Sequence, residues 1–272
     1  MKPNLQSQAN KLRTRIVELA HANKASHVGG ALSIIDILTV LYAKVLKFDA
    51  QLPDWEERDR LFYSKGHACT AIYTVLEEFG FYSKSDLDTF TQNGSLFTSH
   101  VNHKISGVEL STGSLGHALS VACGVALAGL RKKKDCRVYC ILSDGELNEG
   151  SNWEAILFAP HHQLNNLTLI IDYNKIQSFG STKDVLDLDN GAKIADKFSA
   201  FGWEVKEIDG HNFDEIESTF LSQEPSLKPK AIIAHTIKGK GVDYMENKLA
   251  WHYKSPNEEE LKNAIAQLKS QE

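Results

Sequence analysis

The chain is punctuated by short apolar runs, rich in branched residues, that lack polar alternation: Val138-Tyr139-Cys140-Ile141-Leu142, Leu167-Thr168-Leu169-Ile170-Ile171 and Ala231-Ile232-Ile233-Ala234. A strand with water on one face alternates apolar and polar side chains, whereas a strand covered on both faces does not. The stretches between the runs have helical periodicity. The pattern predicts helix 115–131, strand 137–143, helix 150–159, strand 167–172, helix 190–201, strand 203–208, helix 212–222 and strand 230–235. Such alternation implies right-handed crossovers and a parallel sheet between helical layers, a three-layer α/β/α fold. Upstream, Leu5, Leu12, Ile16 and Leu19 recur at helical spacing. Ser33-Ile34-Ile35-Asp36 reads as a capping box opening a helix over 34–46, and a third helix over 67–79 stops at Gly80. One domain over 1–272 is expected, with a helical N-terminal portion, 1–110.

Composition narrows the function classes. A content of 42% hydrophobic and 24% charged residues is that of a globular chain, and a net charge of −5 argues against a nucleic-acid footprint. Arg131-Lys132-Lys133-Lys134 follows an apolar helix and reads as a cap on its dipole. The four cysteines form no CxxC pair or disulfide framework, which points to a reducing cytoplasm. No apolar core follows the charged N-terminus as in a signal peptide, and 110–130 is too rich in serine, glycine and histidine for a membrane span. A soluble cytoplasmic protein is expected.

Two of the apolar runs end in oxygen-bearing side chains, Ser143-Asp144-Gly145-Glu146 and Asp172-Tyr173-Asn174-Lys175. In open α/β sheets ligands bind outside the carboxyl ends of the strands. Asp144-Gly145 projects a carboxylate where the glycine permits close backbone approach. A carboxylate, an amide oxygen and a carbonyl form a partial oxygen shell of the kind Mg²⁺ accepts, with positions left for phosphate and water. The same residues serve equally well as turn and capping groups.

Asp144-Gly145 with Asn174-Lys175-Ile176 downstream resembles the thiamine diphosphate motif of the transketolase family, although Ser143 stands where that motif usually has glycine. Other segments resemble the same family in order and spacing over residues 10–255: Ala25-Ser26-His27-Val28-Gly29-Gly30, Ser64-Lys65-Gly66-His67-Ala68, Ser99-His100, Gly107-Val108-Glu109, Ser111-Thr112-Gly113-Ser114-Leu115-Gly116, Lys238-Gly239-Lys240-Gly241, Met245-Glu246-Asn247 and Trp251-His252. His117 replaces a more usual glutamine. The fold implied is the thiamine diphosphate-binding α/β fold.

By that resemblance Asp144, Asn174 and the Ile176 carbonyl hold Mg²⁺, and the Gly145 N–H meets a phosphate oxygen. Gly113, Ser114, Leu115 and Glu146 complete the cofactor contacts. His67 and His252 approach the diphosphate and thiazolium, while His27 and His100 reach sugar hydroxyls as catalytic groups. Neutral imidazoles both donate and accept protons, as such chemistry needs. His21, His161, His162 and His211 are read as structural. Glu149 and Glu154 are either helix N-terminal acids or members of a carboxylate network across a subunit interface. Helix 115–131 is either a core helix or part of that interface.

The family's pyrimidine-binding and C-terminal domains, with their activating glutamate and aromatic platform, find no counterpart here. The resemblance therefore implies the N-terminal subunit of a split transketolase. It would move a two-carbon ketol unit between sugar phosphates together with a C-terminal partner subunit, in a heterotetramer with two copies of each. A 1-deoxy-xylulose-5-phosphate synthase-like or 2-oxo-acid dehydrogenase component shares Asp-Gly…Asn, but Trp-His and Ser-Lys-Gly-His-Ala favour transketolase. A non-catalytic cofactor-binding subunit would have no use for the four histidines.

Overall fold

The computed structural model describes residues 4–222 and 226–271, so the ends of the expected 1–272 domain lie outside the described residues. In chain order the elements are helices α1 (Leu5–Ala22) and α2 (Val28–Val40), strand β1 (Arg60–Tyr63), helices α3 (Cys69–Glu78), α4 (Lys84–Leu87) and α5 (Ala118–Arg131), and strand β2 (Val138–Ser143). Helix α6 (Gly150–His161), strand β3 (Leu167–Tyr173), helices α7 (Thr182–Val185) and α8 (Ile194–Phe201), strand β4 (Glu204–Asp209), helix α9 (Phe213–Leu221), strand β5 (Lys230–His235) and helix α10 (Glu258–Ser270) follow. The strands form a five-stranded sheet in the order β1-β2-β3-β5-β4, with every neighbouring pair parallel.

Side-chain alternation along each strand divides the core in two. On β2, Tyr139 and Ile141 face the layer of α1, α2, α3, α9 and α10, while Val138, Cys140 and Leu142 face α5, α6 and α8. Apolar residues are needed on both faces, which accounts for the unalternating runs and confirms the three-layer α/β/α expectation. Each fully buried Leu or Ile contributes about 1.5–3 kcal/mol relative to exposure. The segment Val28–Val45 has the length and mean hydropathy (1.7) of a membrane span, yet 83% of it is buried within the protein. It is the central helix of one layer, continued by a π-helical turn over Leu41–Val45.

Two expectations for the N-terminal portion are corrected. It is not wholly helical, because β1 pairs with β2 at the sheet edge. Arg-Leu-Phe-Tyr is short, contains no β-branched residue and so carries little strand signal. Nor does Ser33 cap a helix. Helix α2 opens at Val28 behind His27 (φ 66°), and the Ser33 hydroxyl donates to Asp172 Oδ2 at 2.6 Å. Gly29 and Gly30 lie within that helix. At Gly29 the reason for glycine is packing, since a Cβ there would lie 3.1 Å from Lys238 Cγ and 3.3 Å from the Trp251 carbonyl.

Candidate functional site

The register places Ser143 opposite Asp172, so the chain leaves β2 and β3 side by side on the carboxyl edge of the sheet. There Asp144, 1% exposed, accepts from the Gly145 N–H at 2.7 Å and the Lys175 N–H at 2.5 Å. Asn174 Oδ1 accepts from the Ile176 N–H at 3.1 Å, and the Ile176 carbonyl accepts from Lys238 Nζ at 2.9 Å. Lys175 sits at φ 66°, a left-handed conformation that costs a non-glycine residue about 1 kcal/mol or more and recurs at functional sites. These groups face a cavity of about 210 Å³ whose walls also include His27, His67, Gly113, Leu115 and His252.

Lysines and histidines supply the opposite wall. His27 lies 5.3 Å from His67, 4.9 Å from His252 and 6.3 Å from His100 between ring centroids. His100 stands outside the cavity wall itself, packed so closely over Gly113 that a Cβ on the glycine would come within 2.4 Å of the ring. Gly66 turns the chain into His67 against the backbone of Thr112, where a Cβ would lie 2.2 Å from the carbonyl. Lys238 Nζ also lies 2.9 Å from His252 Nδ1. An ammonium only donates, so that ring nitrogen is unprotonated and the proton of the neutral ring is on Nε2. Beneath the cavity Lys65 is ion-paired with Asp172, both buried, and donates to the Gly30 carbonyl at 2.7 Å.

Of the residues expected at the site, His27, His67, Gly113, Leu115, Asp144, Gly145, Asn174, Ile176 and His252 come together around the cavity. Ser114 is exposed beside it. Glu146 is fully buried but does not line it; its Oε1 accepts from the Ser64 hydroxyl and from the Gly116 N–H at 2.9 Å. The Gly145 N–H is engaged by the Asp144 carboxylate. Lys65 and Lys238 line the cavity and were not singled out from the sequence, although each stands directly before a glycine in a segment that resembles the family. Glu149 and Glu154 are exposed at the start of α6. Helix α5 buries Ala122 and Ala126 but exposes Val121, Gly124 and Ala128.

The electrostatics follow from burial. Burial pushes the Asp144 carboxyl up to about 6, with the Asp172 charge adding to it. Burial would raise Asp172 too, but the Lys65 ammonium and the Ser33 and Thr236 hydroxyls hold it below the ordinary range. Lys238 falls to about 8 on burial, despite Asp144. Burial, then the neighbouring His100 and Lys238 charges, lowers His27 to about 4; burial and Lys238 lower His252 to about 3. His67 is lowered well below its usual value by burial and by Lys65. These three imidazoles are therefore neutral at physiological pH.

A base whose pKa is depressed on folding contributes stability that is full above its unfolded value and declines as pH falls toward the folded one. For His27 that window runs from 6.5 down to about 4. Between about pH 7.5 and about pH 5 the chain is expected to lose on the order of 2 kcal/mol through this group. Urea titrations of the unaltered chain and of His27→Gln should show the variant losing less over that interval. Equal losses would mean that the imidazole is not held neutral by its surroundings.

The oxygen set fits a divalent cation. Asp144 is buried and bonded only to backbone N–H groups, so its charge has no bonded counter-cation, an arrangement that costs several kcal/mol unless a cation offsets it. Among the described residues no group of three or more His, Cys, Asp or Glu side chains could hold a metal, so the donors on offer are one carboxylate, one amide and one carbonyl. That hard, incomplete shell suits Mg²⁺ completed by phosphate oxygens. Lys238, whose ammonium is bonded only to the Ile176 carbonyl and His252 Nδ1, adds positive charge for a diphosphate, whereas the charge of Lys65 is matched by Asp172.

Known proteins of one family resemble the chain over nearly its whole length. A family model described as "Transketolase, thiamine diphosphate binding domain" matches residues 5–271. The chain is 39% identical over 265 residues to one named subunit of the apulose-4-phosphate transketolase of Phocaeicola vulgatus, covering 97% of this chain and 93% of that protein. It is 41% identical over 270 residues to "6-deoxy-6-sulfo-D-fructose transketolase subunit SqwG" of Clostridium sp., covering 98% and 97%. The crystal structure of transketolase from Campylobacter jejuni superposes with a TM-score of 0.91 at 34% identity, over 97% of this chain but 42% of that one.

Proposed function

The chain belongs to the transketolase thiamine diphosphate-binding domain family, and from that membership we propose that it is the diphosphate-binding subunit of a two-chain transketolase. The observation that carries the proposal is the meeting of Asp144, Asn174 and the Ile176 carbonyl with Lys238 and the histidine cluster around one cavity. Asp144, Asn174 and Ile176 would hold Mg²⁺, and Lys65, Lys238 and His67 would face the diphosphate. Bound there, thiamine diphosphate supplies the electron sink that ketol transfer requires. His252 would approach the thiazolium, and His27 and His100 would orient the hydroxyls of a ketose phosphate or aldose phosphate and take or return protons. Family coverage supports a partner subunit for the other half of the cofactor, since this chain spans 42% of a solved transketolase chain and nearly all of two proteins named as subunits. The exposed faces of α5 and α6, including Val121, Leu157 and Glu154, are our proposed contact between paired sites, in a tetramer with two copies of each chain. Four buried, unpaired cysteines favour a cytoplasmic setting.

Cofactor binding tests the metal assignment. For this chain co-purified with a C-terminal transketolase subunit as partner, the affinity for thiamine diphosphate is expected to fall roughly 100-fold when EDTA replaces Mg²⁺. Tryptophan fluorescence quenching measures it. An affinity indifferent to Mg²⁺ would remove the metal from the site.

A further inference from the structure

Behind the Lys238 loop lies a buried relay that the cofactor contacts do not use. Asp36 of α2 is 2% exposed and takes both arms of the Arg13 guanidinium from α1, Nη1 to Oδ1 and Nη2 to Oδ2, each at 2.8 Å. Asp36 Oδ2 lies 2.7 Å from His211 Nδ1, and the other ring nitrogen, Nε2, lies 2.8 Å from the backbone nitrogen of Ile237. A backbone N–H only donates, so Nε2 must carry a lone pair and the single ring proton must sit on Nδ1, donated to Asp36. The imidazole is thereby fixed in one tautomer and one orientation, with Arg13 fixing Asp36 in turn.

What the ring holds decides its role. Its Nδ1 bond to Asp36 is what a histidine satisfied in a core would make, but its Nε2 accepts from the N–H of Ile237, the residue before Lys238. The Lys238 ammonium in turn reaches the Ile176 carbonyl and His252 Nδ1, both at 2.9 Å. The turn that carries His211 has no slack against the same strand end. The Gly210 N–H donates to the His235 carbonyl at 2.9 Å, and a Cβ on Gly210 would lie 2.5 Å from Thr236 Cγ2. Beyond the lysine, the Gly239 N–H is tied to the Gly29 carbonyl at 2.9 Å, so the backbone is anchored on both sides of Lys238.

We infer that His211 is a positioning residue for the cofactor site: oriented by the Arg13–Asp36 pair, it pins the Ile237 backbone so that Lys238 meets the Ile176 carbonyl and the cavity. The consequence for affinity rests on the cavity being the diphosphate site; the pinning itself does not.

Two measurements test it. In ¹⁵N spectra of the unaltered chain, His211 should show the neutral Nδ1–H tautomer with a coupling across the hydrogen bond to the Ile237 amide. An imidazolium or an Nε2–H tautomer at neutral pH would overturn the inference. The second compares variants in the complex with the partner subunit. In His211→Asn the amide reaches Asp36 but not Ile237; in His211→Gln an oxygen lies near the position of Nε2. His211→Asn should speed hydrogen exchange at Ile237 and weaken thiamine diphosphate–Mg²⁺ binding by about 10-fold, as loss of an orienting partner does, while His211→Gln stays within about threefold. Unchanged affinity in His211→Asn, or losses in both variants that simply follow their melting temperatures, would reduce His211 to a structural residue. No cofactor binding by the unaltered complex would instead overturn the cofactor reading, and with it the effect on affinity.

Discussion

Supplied with thiamine diphosphate, Mg²⁺, a ketose phosphate donor and an aldose phosphate acceptor, the purified chain is expected to transfer no ketol unit. Co-expression with a C-terminal transketolase subunit should raise the rate from background by roughly 10²–10⁴-fold, the range that general acid–base catalysis contributes. The reason lies in what the cavity offers. Among its described lining residues Asp144 carries the one carboxylate, and on our reading that carboxylate binds metal and cannot also activate an aminopyrimidine. The lining aromatics are imidazoles, without a large apolar ring on which a pyrimidine would stack. The wall is thus furnished for a diphosphate and for sugar hydroxyls. A coupled assay that detects ketol transfer by the chain alone, at a rate near that of the mixture, would sink the split-site proposal.

The parts that were legible in the sequence share one property: a local pattern encodes them. The runs of β2, β3 and β5 lack alternation because both sheet faces are covered, and that requirement is visible residue by residue. Asp144 and Asn174 stand out because each closely follows such a run. Features that depend on residues distant in the chain were not visible. Ser33 and Asp36 have the spacing of a capping box, but in the fold Ser33 is taken by Asp172 and Asp36 by Arg13 and His211. His211 looks structural in the sequence because nothing near it announces that its ring meets Ile237. Glu146 follows the Asp-Gly turn so closely that it reads as a cofactor contact, yet the turn carries it into the interior beside Ser64 and Gly116. Lys65 belongs to a recognisable motif, but its buried pairing with Asp172 requires β1 and β3 to be placed first.

Asp144→Ala is expected to abolish metal-dependent cofactor binding while leaving the fold intact. The side chain holds the only negative charge in the proposed oxygen shell, and the amide of Asn174 and the Ile176 carbonyl are neutral. Loss of that charge should weaken thiamine diphosphate binding in Mg²⁺ by about 100-fold or more, about 3 kcal/mol, and bring the complex to the affinity it shows in EDTA. Stability should move little. Alanine strands the Gly145 and Lys175 N–H groups, a cost of about 1–3 kcal/mol for each that stays buried. It also removes a buried carboxylate that burial already disfavours as an anion, as its rise to about 6 shows. Asp144→Asn separates charge from geometry, because its carbonyl oxygen can still accept one of those N–H groups. It should therefore melt no lower than the alanine variant and still fail to respond to Mg²⁺. If either variant binds the cofactor with unaltered Mg²⁺ dependence, the metal does not sit on this carboxylate.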